Sequence, residues 1–232
     1  MATTKDTVIA NQIFLGLPWK TVRKKYETIT DSFKKKYPLS FVIVGRGDNQ
    51  DAEDLLNVIY DKIESSSYAI FDATGGNANV SLEYGFTEAL DIPRALYLSV
   101  HKASKKTTDS AIISDLAGKK HNQYTNADSL EALLDALSKK HPYTIKFERF
   151  LKQKYKNASK GDKKRYRALA LKVIHELDNQ TQVRRVDIVQ NLQADAASYT
   201  SDEVDTMIKA LHKEKLVQSQ QGPHSRVHVA YE

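Results

Sequence analysis

The residues whose types and spacing could do chemistry fall in one stretch: Asp72, Thr74, Gly75, Gly76, Asn77, Asn79, Val80, Glu83, Gly85 and Ala89. It begins where an apolar run, Tyr68 to Phe71, ends, and it passes directly into helical spacing. Gly75 and Gly76 permit backbone conformations and close approaches that a side chain would block. Glu83 lies about one turn inside the helix, with Val80 and Thr87 three and four residues away on its side. A carboxylate held there could attack the anomeric carbon of a ribose, or stabilise an oxocarbenium-like transition state, as glycosidic cleavage requires. Spacing alone also admits a plainer reading, in which Glu83 is solvated or salt-bridged and Asp72 caps the turn after its strand.

The elements that must position these residues follow from periodicity. Strands are predicted over Gln12 to Leu17, Phe41 to Val44, Tyr68 to Phe71 and Ala95 to Leu98. Between them lie amphipathic helices from Trp19 to Tyr37, Ala52 to Glu64 and Asn79 to Leu90, the first with Val22, Tyr26, Ile29 and Phe33 at helical spacing. Short helices are expected over Ala111 to Leu116 and Ser129 to Leu137. Unbroken apolar strands alternating with helices are the sequence form of a parallel sheet covered on both faces. The fold class read here is α/β, a doubly wound parallel sheet, over residues 1–142. In such a sheet ligands bind at the carboxyl ends of the strands, so the segment after Phe71 faces the crevice.

The arrangement D-x-T-x-x-N-x-N-V-x-x-E-x-G-x-x-x-A from Asp72 to Ala89 resembles the signature of the nucleoside 2-deoxyribosyltransferase-like group and of the neighbouring Toll/interleukin-receptor-like (TIR-like) nucleotide-binding domains. Ser114, Asp115, Leu116, Ala117 and Gly118, followed by Tyr124, are similar to a later element of some TIR-like members. The resemblance covers about residues 10–140. It implies an N-glycosidase that hydrolyses or transfers the N-glycosidic bond of a nucleoside, a nucleotide or NAD, with NAD as substrate and no cofactor. By resemblance, Glu83 is the catalytic carboxylate at C1′; Asp72 joins it in the catalytic set and, with Asn77, orients the ribose or base. Gly16 and Trp19, after the first strand, form one wall. Arg46 and Asp48 form the next, Arg46 as a phosphate ligand because a guanidinium grips oxygens in pairs; Asn79 completes the substrate-binding set. Ala78 departs from the proline common between the two Asn positions. The polar aromatic group often found after the first strand is replaced by Leu17, Pro18 and Trp19, which leaves open a domain that binds a nucleotide without cleaving it.

Composition excludes other chemistries. With no Cys among 232 residues, thiolate nucleophiles, disulfide scaffolds and Cys-based metal sites are absent, and a reducing, cytoplasmic setting fits. The seven His show no metal spacing such as H-E-x-x-H. Neither a signal peptide nor a membrane span is expected, since the longest apolar run near the start is Ile13 to Leu17.

The net charge of +6 is unevenly spread: residues 1–142 hold 18 basic and 18 acidic side chains, and the remainder 17 and 11. Residues 146–172 alone carry 11 Lys and Arg against Glu148 and Asp162. Phe147, Phe150, Tyr155 and Tyr166 are interleaved with these basic residues, as in a solvated helix whose aromatics pack on the main domain or in a phosphate-contacting segment. We read 143–164 as a basic connector and 165–232 as a small winged helix-turn-helix domain. That domain comprises helices around Ala168 to Leu177, Val186 to Leu192 and Ser201 to Leu216, then a hairpin around Gly222 and Pro223. Lys163, Lys164, Arg165, Arg167, Arg184, Arg185, Lys213 and Arg226 are its candidate nucleic-acid contacts. Asp202, Glu203 and Asp205, at the start of the third helix, would repel DNA, so a regulatory protein is the alternative partner. A homo-oligomer, with pocket walls from a second subunit, also fits. The pairing of domains is similar to effectors of some retron antiphage systems. From another functional class, a non-catalytic nucleotide sensor or DNA-binding regulator would keep the crevice and use Glu83 only to bind ribose hydroxyls.

Overall fold

The computed structural model describes residues 8–20, 22–45, 52–100, 116, 118–178, 182–195, 199–219 and 225–230. The chain divides into two compact units, one formed by residues 1–31 and 41–137 and the other by residues 32–40 and 138–231.

In the first unit the strands are β1 (Ile9–Gly16), β2 (Ser40–Val42), β3 (Ser66–Asp72), β4 (Arg94–Ser99) and β5 (His121–Tyr124). They form one sheet in the order β2-β1-β3-β4-β5. The β1/β3, β3/β4 and β4/β5 pairs are parallel. The helices are α1 (Arg23–Phe33), α2 (Ala52–Glu64), α3 (Ala78–Ala89) and α4 (Ala127–Lys140). The fold is doubly wound α/β. Each central strand is apolar on both faces because both faces are covered: Phe14, Ala69, Phe71, Leu96 and Leu98 join Ile63 of α2 and Val80 and Tyr84 of α3 in one core. The strand order reverses between β1 and β3, which opens a crevice beyond their carboxyl ends.

Expected elements and observed ones differ in informative places. α1 starts at Arg23 rather than Trp19 and ends at Phe33, and residues 32–40 fold with the second unit. β5 is not legible in the sequence because His121, Asn122 and Gln123 are polar. Its pairing partner β4 makes it a strand, with Leu96 opposite His121 and Ser99 opposite Tyr124. Of the short helix expected over 111–116, only Leu116 lies within the described residues, and it is buried in the core.

The second unit contains α5 (Pro142–Lys154), α6 (Lys160–His175), β6 (Val183–Arg184), α7 (Arg185–Gln193), α8 (Ser201–Lys213), β7 (Val217–Ser219) and β8 (Arg226–Val229). The stretch read as a connector is therefore α5 and the start of α6. Phe147 and Phe150, at 0 % and 3 % exposure, are buried on it, as are Leu169 and Ile174 of α6, Ile188 of α7, and Val204, Ile208 and Leu211 of α8. The lysines of the stretch are exposed while its two Phe rings are buried. The strands form an antiparallel sheet in the order β6-β8-β7. The predicted turn at Gly222 and Pro223 lies outside the described residues. Local caps fix the helix starts: His141 and Pro142 open α5, Ser159 opens α6, and Thr200 with Glu203 forms a capping box on α8. No helix among the described residues is long and apolar enough to cross a membrane.

Tyr143 donates its buried hydroxyl to the Leu216 carbonyl at 2.8 Å, tying α5 to the residue before β7. Tyr143→Phe leaves that carbonyl without its donor, and we expect urea denaturation to show a loss of about 1–2 kcal/mol. Thr28→Ala, which removes an exposed hydroxyl bonded only to its own helix, should change stability by less than about 0.5 kcal/mol.

Candidate active site

Asp72 ends β3 with no exposed surface. Its Oδ2 accepts hydrogen bonds from the hydroxyls of Tyr26 at 2.9 Å and Tyr124 at 2.7 Å. Its Oδ1 accepts from the backbone amide of Thr74 at 2.9 Å, and Thr74 Oγ1 in turn accepts from the Ser99 amide at 2.9 Å. This network joins α1, the ends of β3, β4 and β5, and the loop leading to α3. Burial, and then the neighbouring Asp72, push both phenols above their ordinary pKa, so they remain donors. The sequence reading placed Asp72 in the catalytic set. The geometry assigns both its oxygens to protein donors, and it shapes the loop, as the plainer reading of a turn cap anticipated.

The loop then turns through Gly75 and Gly76, whose φ angles of 79° and 60° lie in the left-handed region that glycine tolerates. Asn77 caps α3 by accepting from the amides of Asn79 at 2.9 Å and Val80 at 3.4 Å. Its side-chain oxygen thereby fixes the start of the helix. Asn79 is exposed beside it.

α3 buries Val80, Tyr84 and Thr87, and Glu83 is half-buried at the edge of that face. A Cβ placed on Gly16 would stand 2.7 Å from Glu83 Oε2 and would collide with the ring of Phe71. Gly16 is thus the close approach that lets the Glu83 carboxylate lie over the carboxyl end of β1, at the point where the strand order reverses. Among the described residues this carboxylate has no hydrogen-bond partner. Burial pushes its pKa up to about 7. Glu88, one turn on, shows the contrast: it pairs with Lys119 at 2.7 Å and Arg94 at 2.8 Å, and those partners hold its pKa below the usual value.

A desolvated, unpaired carboxyl group can act as nucleophile or electrostatic stabiliser when ionised, and as general acid when protonated. Trp19, three residues beyond β1, is 46 % exposed, and its ring packs on the Arg23 guanidinium at 3.7 Å and against Gly45. Arg46 and Asp48 lie outside the described residues, as do Ser114, Asp115 and Ala117. Tyr26 carried no chemical signal in the sequence, because its spacing with Val22 and Ile29 marks it only as part of an apolar stripe.

The basic candidates of the second unit do not form one cluster of free charge. Arg165 grips Glu203 with two bonds of 3.0 Å, and Arg167 pairs with Glu148 at 2.7 Å. Arg184 holds Asp187 with two bonds of 2.8 Å, and Arg185 reaches Asp205 at 2.7 Å. Arg226 donates to Gln182 at 3.1 Å and Lys163 to the Lys156 carbonyl at 3.0 Å, while Lys164 and Lys213 are exposed. The acids at the start of α8 were expected to repel DNA. Two of them, Glu203 and Asp205, are instead spent on arginines of α6 and α7.

No protein-family model matches the chain, and a search of curated proteins returns no match. Among solved structures, the chain is similar to a 2-desoxiribosyltransferase from Leishmania mexicana, with TM-score 0.43 and 14 % identity over 56 % of this chain and 99 % of that one.

The titration of Glu83 makes a signed prediction for stability. Its folded pKa of about 7 lies above the 4.5 of an ordinary Glu, so the unfolded chain loses this proton first. The group therefore costs nothing below pH ~4.5, and its destabilisation grows as pH rises to ~7. Glu83→Gln should unfold like the parent near pH 4 and gain on the order of 3 kcal/mol near pH 8. Denaturation midpoints measured across that range check it; an equal offset at both ends would contradict a buried, titrating Glu83.

Proposed function

We propose that the first unit cleaves or transfers the N-glycosidic bond of a nucleoside, a nucleotide or NAD, with Glu83 as the carboxylate that acts at C1′. The observation that carries this reading is the desolvated Glu83 carboxylate lying over Gly16 at the carboxyl ends of β1 and β3. Ligands of doubly wound sheets bind at that place. Ionised Glu83 attacks C1′ from the face opposite the base, and the C1′–N electron pair leaves with the base. Water then bonds to C1′ as the C1′–O bond to Glu83 breaks, its proton passing to the departed base or to solvent, or a second base displaces Glu83 in the same way and takes the sugar. Gly16 leaves room for the carboxylate, and the Asp72 network fixes the loop from which α3 springs.

After α5, the second unit runs helix, short strand, two helices and hairpin, with the short strand completing the hairpin's sheet. This order supports reading it as a winged helix-turn-helix that ties the reaction to nucleic acid or to a regulator. A role as an antiphage defence effector rests on that pairing of modules.

Incubation of the protein and of Glu83→Gln with NAD and a panel of nucleosides and nucleotides, followed by chromatography for free base, tests the reaction. We expect release by the parent and at least about 10²-fold less by the variant. The parent's kcat/KM should rise with pH and level off above about 7 as Glu83 ionises. No release from any substrate, with nucleotide binding retained, would overturn the enzyme in favour of a sensor. Equal release by both proteins would overturn the role of Glu83.

A further inference from the structure

Five of the basic side chains of the second unit, Arg165, Arg167, Arg184, Arg185 and Lys172, are held by acids, and, among the described residues, a run of six exposed lysines is not. Lys152 and Lys154 stand on the last turn of α5, Lys156 in the turn, and Lys160, Lys163 and Lys164 on the first turns of α6. All six are exposed, and none makes an ion pair among the described residues. The single acid of this segment, Asp162, faces its own helix start, where its Oδ2 accepts from Ser159 Oγ at 2.7 Å. The amino end of α6 adds its own partial positive charge.

The aromatic residues interleaved with these lysines are not free to stack on bases. Phe147 and Phe150 are buried. Tyr155 lies face to face with Tyr166 at 4.2 Å and meets the edge of Phe150 at 6.3 Å. These rings pack together beneath the turn between α5 and α6, from which the lysines project. Single-strand binders need exposed aromatic platforms, and base readout in a groove relies on forked arginines. This turn offers neither; it offers point charges on a rigid frame.

We infer that the α5–α6 turn is a contact surface for the phosphate backbone of a nucleic-acid duplex, engaged without regard to sequence. This assignment is independent of the glycosidic reaction, because it concerns the other unit and is read by binding alone.

The test uses the full chain and short duplexes of arbitrary sequence, one DNA and one RNA, with the matching single strands, across a salt series. Contact by the six lysines gives a slope of log K against log salt of roughly −5 for the DNA duplex. Lys160→Ala/Lys163→Ala/Lys164→Ala should reduce that slope to roughly half and weaken binding by at least about tenfold near physiological salt. A control, Lys20→Ala/Lys24→Ala/Lys25→Ala, removes the same charge from exposed positions of the first unit and should leave the slope unchanged. Circular dichroism confirms that both variants fold, alanine being a strong helix former. Binding to either duplex above its single strands supports the surface, and comparison of the two duplexes identifies the backbone preferred. Single strands bound more tightly than both duplexes, absence of binding, or equal losses in both triple variants would overturn it; so would binding to anionic vesicles as tight as to duplex.

Discussion

Everything at the strand ends of the first unit hangs on a carboxylate that solvent never reaches. Asp72 receives hydroxyls from Tyr26 of α1 and Tyr124 of β5 and an amide from its own loop. A buried carboxylate short of donors would be costly; one with three becomes a hub. Because Thr74 passes the connection on to Ser99, the ends of three parallel strands are joined. The loop through Gly75 and Gly76 can then leave in one direction only, and α3 starts from a fixed place.

The consequence is felt eleven residues on. Asp72 and Glu83 are the same kind of group in adjoining elements, yet one is saturated with donors and the other has none among the described residues. Donors committed to Asp72 hold the frame. Burial without donors leaves Glu83 with a pKa of about 7, ready to change charge near neutral pH. The separation of a structural carboxylate from a reactive one is an effect of environment, since both would behave alike in an unfolded chain.

A parallel sorting of charge occurs in the second unit. Two of its arginines meet acids from another helix: Arg165 grips Glu203 at two points, joining α6 to α8, and Arg185 bonds Asp205 once, joining α7 to α8. Lysines, with their single mobile charges, are left at the α5–α6 turn. A count along the chain gives a surplus of basic residues, and the ion pairs decide how much of it faces solvent.

By itself the sequence determined the alternation of strands and helices, the neutral first part and basic second part, the helical patterns after Lys160, and the stretch from Asp72 to Glu83. These are local properties: apolar spacing and turn chemistry act between residues a few positions apart, so periodicity records them. Tertiary structure alone decided that Tyr26 and Tyr124 serve Asp72 across 46 and 52 residues. The same holds for Glu83 lying over Gly16 and for polar His121 to Gln123 forming a strand. Such pairings depend on which strand ends the sheet order brings side by side. Hydrophobic periodicity orients faces toward a core, but it does not say which polar groups will meet there.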